Sequence, residues 1–235
     1  MSTEPTLFAG RLLLALDTGS PRLSVAAAVR GETAAVRSGA QQASRSLTLL
    51  IDEVLCELGA SVREVDGIVA LAGPGSFTGL RVGLATALGL AEALGCPATT
   101  VPTLQALAAA APARPGERVL AAVDALRGEW FVQPFAAGPC SAGEGPAEQG
   151  PPERVSAAAL EAMAAERFVG FGLPALLAGR AGRVLEPGSL APVALRLAFA
   201  APQVWDSLLL TRPLYLREPQ VTLAPVTRTT ARSQP

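Results

Sequence analysis

Between Phe77 and Leu94 only Arg81 and Glu92 carry charge. A helix drawn from such a stretch is apolar on almost every side and must be covered on almost every side. Its ends are marked. Gly73-Pro74-Gly75 turns the chain after an apolar run at 67–72, Ser76 can accept from the first free backbone N–H groups, and Gly95 can close the far end. Within it Gly79, Gly83, Ala87 and Ala91 recur every fourth residue, beside a row of Leu80, Leu84 and Leu88. One face can lie on a sheet of the same chain. Because an open apolar patch is costly for solubility, the small-residue face is expected either to admit a second helix at close range from another protein or to be buried entirely within the monomer.

The surrounding pattern is that of an α/β protein. Leu12 to Asp17 reads as a buried strand ending in an acid, and 23–29 and 33–37 read as two further strands around a short turn. A helix is predicted from an N-cap at Ser46 to Gly59, with Leu47, Leu50, Ile51, Val54, Leu55 and Leu58 on one face. After the apolar helix come a strand at 98–101 and a third helix capped by Thr103. Strands at 119–124 and 130–136 then echo the opening of the chain, which favours two related halves with a boundary near 112–116. The Gly/Pro-rich stretch 138–152 is expected to be a loop. A helix near Ser156, a strand at 167–171, helix at 191–201 and a last strand at 214–216 complete the reading.

Missing residue types exclude more than the present ones suggest. The sequence has no histidine, no lysine and no asparagine, so all 19 basic residues are arginine. That removes the imidazole base of a Ser-His-Asp or Cys-His centre, histidine zinc sites, the P-loop lysine and Schiff-base lysines. Cys56, Cys96 and Cys140 are odd in number and form no CxxC pair, which fits reduced thiols in a cytoplasmic protein rather than a disulfide framework or metal site. A net charge of −1 and 4% aromatic residues give no general attraction for nucleic acid. The local exception is the C-terminal run with Arg212, Arg217, Arg228 and Arg232. The uncharged stretch 93–113 is interrupted by Pro97, Pro102 and Pro112 and reads as strand, turn and helix rather than a membrane span.

Two motifs could carry chemistry. Asp17-Thr18-Gly19-Ser20 after an apolar strand is a turn, a nucleotide-facing acid, or half of an aspartic-protease dyad. The last requires a second carboxylate, and no further D-T-G or D-S-G occurs. Gly73-Pro74-Gly75-Ser76-Phe77-Thr78-Gly79 can aim backbone N–H groups at an anion, yet it is neither a P-loop nor G-x-G-x-x-G, and a plain strand-to-helix turn serves equally.

Taken together, Leu12-Leu-Leu-Ala-Leu-Asp17-Thr18, Gly73-Pro-Gly-Ser-Phe-Thr-Gly79-Leu-Arg81-Val-Gly83, Val101-Pro-Thr103-Leu, Arg118-Val-Leu-Ala-Ala-Val-Asp124 and Pro213-Leu-Tyr215-Leu-Arg217 resemble the TsaB family. The resemblance implies an α/β, actin-like ATPase (ribonuclease H-like) fold of two lobes, with mixed sheets flanked by helices. The N-terminal lobe would cover 8–112, the C-terminal lobe 113–217 and a flexible basic tail 218–235. It further implies a non-catalytic, cytoplasmic dimerisation subunit without metal or cofactor. Such a subunit works with a TsaD-type catalytic subunit and a TsaE-type ATPase in threonylcarbamoyl transfer to the adenosine beside the anticodon, touching tRNA mainly through the complex. Where the catalytic relative has a metal-binding H-x-x-x-H, this chain has Thr103 and Leu107.

In the family the first two helices pair with the catalytic subunit or with a second copy. On this chain the contact residues would be Leu47, Leu50, Ile51, Val54, Gly79, Leu80, Gly83, Ala87 and Ala91. Asp17, Thr18 and Asp124 would be vestigial nucleotide-facing residues. The rival reading is a hydrolase, aspartic-protease-like or glycopeptidase-like, using Asp17.

Overall fold

A computed structural model describes residues 11–30, 32–40, 43–138, 145–180, 183–200 and 205–216. The tail from 217 onward and Cys140 lie outside the described residues. In chain order the elements begin with β1 (Leu12–Asp17), β2 (Arg22–Val29) and β3 (Glu32–Ala40), followed by α1 (Ala43–Glu57) and β4 (Val65–Leu71). Next come α2 (Phe77–Leu94), β5 (Ala98–Val101), α3 (Thr103–Ala110), β6 (Arg118–Leu126) and β7 (Glu129–Ala136). The remainder is β8 (Ala147–Glu148), β9 (Glu153–Ser156), α4 (Ala157–Ala162), β10 (Arg167–Val169), α5 (Leu173–Leu176), β11 (Val184–Leu185) and α6 (Ala191–Ala200). A 3-10 turn, Ser207–Thr211, follows.

The first sheet has the order β3-β2-β1-β4-β5, with β1 antiparallel to β2 and parallel to β4. The second runs β11-β10-β6-β7-β8, with β9 also paired to β7. Its first strand, β6, is likewise antiparallel to the next in sequence and parallel to β10. The echo between the two strand–acid segments is thus repeated in topology. Two mixed α/β sheets so arranged are the actin-like ATPase fold.

Why β1 shows no polar alternation is plain from its place. It is central, and both faces are covered. Leu12, Leu14 and Leu16 point into a core with α1 and α2, while Leu13 and Ala15 point into another with α3 and α6. That second core also takes Val119, Ala121 and Phe135 from the second sheet. A third core, built on Leu120, Ala122 and Phe168, is closed by Leu160 of α4 and Leu173 of α5. The layers therefore run α1/α2, first sheet, α3/α6, second sheet, α4/α5.

The middle layer is exchanged between the halves. Helix α3, from the N-terminal half, packs on β6, β7 and β10, whereas α6, from the C-terminal half, packs on β1, β2 and β4. Helix α6 and the 3-10 turn Ser207–Thr211, expected in the second lobe, lie against elements of the first half instead.

Several local expectations change. Helix α1 starts at Ala43, so Ser46 is inside it and is not its cap. The residue before α3 is Pro102, and Thr103 is the first helical residue; its N–H bonds to the Gly73 carbonyl at 2.7 Å, and its buried Oγ1 has no hydrogen-bond partner among the described residues. Replacing Thr103 by valine removes an unsatisfied hydroxyl at constant shape, and should stabilise the protein by about 1 kcal/mol in urea titration. Within 138–152, Ala147–Glu148 pairs with β7. Residues 214–216 are not a strand. Pro213 has no N–H, and the segment is held to the first sheet by one backbone bond, Leu214 N–H to Ala72 O at 2.8 Å.

Helix α2 is long and apolar enough, by length and composition, to cross a membrane. One side of it packs against β4 and the 3-10 turn. The stretch 93–113 divides into the end of α2, β5 and α3.

Candidate functional site

Helix α2 starts as its sequence demands. Ser76 Oγ accepts from the Gly79 N–H at 3.2 Å, and Gly95 closes the helix at φ 62°. The expected use of its small-residue row is overturned. A Cβ at Gly79 would collide with the Thr18 carbonyl oxygen, and one at Gly83 with Thr18 Oγ1. The Ser76 N–H donates to Gly19 O at 2.8 Å, and a Cβ on Gly75 would lie 2.5 Å from that same oxygen. The row is notched for the Asp17–Ser20 turn of its own subunit. Ala87 and Ala91 continue it into the core beneath.

All nine expected contact residues, Leu47, Leu50, Ile51, Val54, Gly79, Leu80, Gly83, Ala87 and Ala91, are buried inside the subunit. They seat α1 and α2 on the sheet and cannot themselves meet a partner. The outward sides of the two helices are different residues. On α1 these include Thr48, Leu49, Asp52 and Cys56, with Leu49 61% exposed. On α2, Thr78, Ala85, Gly89 and Ala93 are exposed along one line with half-buried Val82, and a Cβ on Gly89 would meet nothing within 4 Å. A second row of small residues therefore faces outward, offset from the inward one. Its signal was in the sequence, overshadowed by the more regular inner spacing.

Asp17 does not face a ligand site. It is 0% exposed, and its carboxyl is turned onto Ser20: Oδ1 accepts from the Ser20 N–H at 3.1 Å, and Oδ2 contacts Ser20 Oγ at very short range. Ser20 Oγ also lies 2.9 Å from the Arg22 carbonyl oxygen. One hydroxyl proton cannot serve both acceptors. All three groups are satisfied together when Asp17 is protonated and donates to Ser20, which donates to Arg22. Burial accordingly pushes the Asp17 pKa up to about 6, against the opposing effect of the Ser20 and Gly19 hydrogen bonds. A sealed, Ser20-bound carboxyl offers no route for a hydrolytic water, which removes the structural basis of the hydrolase reading.

Thr18 is buried beneath α2, whereas Asp124 is exposed, its Oδ1 accepting from Leu126 N–H at 2.7 Å. Of the three residues expected to face a nucleotide, only Asp124 lines the cleft of about 620 Å³ between the β6–β7 hairpin and the start of α2. Among the described residues no group of histidine, cysteine or acidic side chains could hold a metal ion. Thr103 and Leu107 are both buried in the middle layer. Cys56 and Cys96 are free thiols.

Tyr215, from the segment expected to be a strand, packs on this cleft's lip. Its ring lies 5.0 Å from Phe77, its hydroxyl accepts from Arg81 Nε at 3.1 Å, and the Arg81 guanidinium stacks 4.0 Å from the Phe77 centroid. This clip ties the C-terminal segment to the first turn of α2.

Residues 37–136, which contain α1, α2 and the Gly73–Gly79 turn, match the TsaD family, described as tRNA N6-adenosine threonylcarbamoyltransferase. The chain is 40% identical over 119 residues to the tRNA threonylcarbamoyladenosine biosynthesis protein TsaB of Haemophilus influenzae, covering 50% of each protein. It is 34% identical over 119 residues to the Escherichia coli protein of that name, covering 50% of this chain and 52% of the relative. The solved structure of YeaZ from Pseudomonas aeruginosa superposes with a TM-score of 0.69 at 26% identity, over 88% of this chain and 100% of that one. Over these stretches the chain is similar to TsaB and YeaZ proteins. It spans about half the length of the curated TsaB relatives it matches. The similarity to TsaB and YeaZ proteins agrees with the motifs at 12–18, 73–83 and 101–104 and with the doubled sheet.

Proposed function

We propose that this protein is a non-catalytic, cytoplasmic subunit of the machinery that forms threonylcarbamoyladenosine in tRNA. It pairs with a TsaD-type catalytic subunit, is joined by a TsaE-type ATPase, self-associates when that partner is absent, and meets tRNA mainly through the complex. The observation that carries the reading is the coincidence of two facts. The stretch that matches the threonylcarbamoyltransferase family contains both outer helices, yet the chain contains no histidine, and Asp17 is sealed inside the fold. Relatedness to an enzyme is thus kept in the surface-forming helices and lost in the residues that could do chemistry. The divisions 8–112 and 113–217 stand as the two lobes, with the middle-layer helices exchanged between them.

Pairing is assigned to the outward sides of α1 and α2, with the nine buried residues supporting that face from beneath. Small side chains at Ala85, Gly89 and Ala93 let a helix approach closely, and exposed Leu49 supplies an apolar anchor. Ala85→Arg and Gly89→Arg should each weaken binding to the catalytic subunit about thirtyfold, a loss of about 2 kcal/mol, in calorimetric titration. Melting temperatures should stay unchanged, since neither position touches the core. Undiminished pairing in both variants would move the interface elsewhere. In a reconstituted reaction with partners, ATP and tRNA, leaving out this protein should abolish modification, while the protein alone should modify nothing.

A further inference from the structure

The cleft between the β6–β7 hairpin and the start of α2 is built for something other than a metal-bound polyphosphate. Among the described residues its single carboxylate, Asp124, is already held by the Leu126 N–H, and Asp17 never reaches it. Apolar and aromatic groups make up its walls, with Leu80, Phe131 and Phe171 among them and the tilted Phe77–Tyr215 pair on one side. Phe77 and Tyr215 are 39% and 36% exposed, and Leu126 and Leu214 also border the opening. Four of the exposed large apolar side chains among the described residues thus gather at one opening.

The charged residues that line this opening are Arg127 and Asp124, and the cation is the one left to meet an anion because the Asp124 carboxylate already accepts from the Leu126 N–H. Arg127 lines the cleft with no ion pair among the described residues, and Arg81 is stacked behind Phe77. The turn that presents Leu126 and Arg127 is strained. Both adopt left-handed backbone, φ 66° and 59°, at a cost of roughly 1–2 kcal/mol for each residue. The two-residue tip is Arg127-Gly128, between the paired Leu126 and Glu129; Gly128, at φ 76°, meets the usual preference for glycine, and the unfavourable backbone falls on Leu126 and Arg127. A volume of about 620 Å³ is within the range of small-molecule sites.

We propose that this cleft binds a small molecule consisting of a flat apolar ring system with one anionic group, the rings against Phe77, Phe131 and Tyr215 and the anion paired with Arg127. The aromatic walls supply affinity by excluding water from the ring faces. The guanidinium sets orientation through a charge-assisted hydrogen bond.

The test uses the full chain and two naphthalene probes, 2-naphthalenesulfonate and the neutral 2-naphthalenemethanol, titrated by calorimetry. The sulfonate should bind at one site per chain and about tenfold more tightly than the neutral ring. Arg127→Gln, at an exposed turn, should erase that preference and leave binding of the neutral probe unchanged. Val123→Trp, which fills the cleft, should abolish binding of both probes, with a melting curve to confirm the fold. The proposal is overturned by absence of saturable binding up to about 1 mM, by more than one site per chain, by a sulfonate preference that survives Arg127→Gln, or by full binding in a folded Val123→Trp protein. None of these readouts involves a partner protein, so the result stands apart from the subunit role.

Discussion

Gly79→Ala and Gly83→Ala should each lower folding stability by about 3 kcal/mol or more, the upper range for overpacking a core. At both positions the added methyl group meets Thr18, which is buried under α2 and has nowhere to withdraw. The two clashes differ in kind. At Gly79 the obstacle is the Thr18 backbone carbonyl, held in the β1–β2 turn, whereas at Gly83 it is the Thr18 hydroxyl. Thr18→Ala should therefore rescue much of the Gly83→Ala loss and none of the Gly79→Ala loss. Urea titrations of the three single and two double variants measure this directly. Were the glycine row an intersubunit face, Gly83→Ala would instead leave the melting curve in place and weaken pairing alone.

Asp17→Asn should produce a gain of similar size, conditional on pH. The folded-state pKa is raised from 3.8 to about 6 by burial. Below about pH 4 aspartic acid is protonated in both folded and unfolded chains, and the group costs nothing. As pH rises from about 4 to 6 the unfolded chain releases its proton while the folded chain retains it, so stability falls across that window and stays lower above it. The accumulated loss is about 3 kcal/mol. Asparagine supplies the neutral form at every pH: its amide can donate to Ser20 Oγ and its oxygen can accept from the Ser20 N–H.

The variant should match the parent near pH 4 and exceed it by about 3 kcal/mol above pH 7, or roughly 6–12 °C in melting temperature for a chain of this size. It should support tRNA modification with the partners as well as the parent does. Equal stability of the two proteins at pH 8 would show that burial imposes no cost on the ionised Asp17 carboxylate.

How far these features were legible in the sequence depends on which forces act locally. Leu12 to Asp17 announces a strand covered on both faces, because a central strand of a mixed sheet has no solvent side to mark with polar residues. The caps of α2 were equally plain, since Ser76 and Gly95 satisfy groups within a few residues of themselves. The identity of what fills the glycine row was not legible. The row's spacing says that something approaches closely, and the occupant, Thr18, is set by tertiary packing from far upstream. Thr103 looked like a cap because its side chain suits that role. The Gly73 carbonyl, which captures its backbone N–H, is brought there by the fold. Likewise Ala147 and Glu148 have no strand propensity to read, and they pair because β7 presents a free edge to them. The Phe77–Arg81–Tyr215 clip joins two motifs noted separately in the sequence, and only the return of the chain over α2 brings them together.

The exchanged middle layer has a consequence for biosynthesis. The inner face of the first sheet is closed by α6, whose last residue is Ala200. Until α6 has left the ribosome, that greasy surface has no lid, and the nascent N-terminal half cannot complete itself in advance of its sibling. A ribosome that stalls after the first sheet would release a sticky fragment rather than a working half-molecule, so the cell receives this protein all at once or not at all.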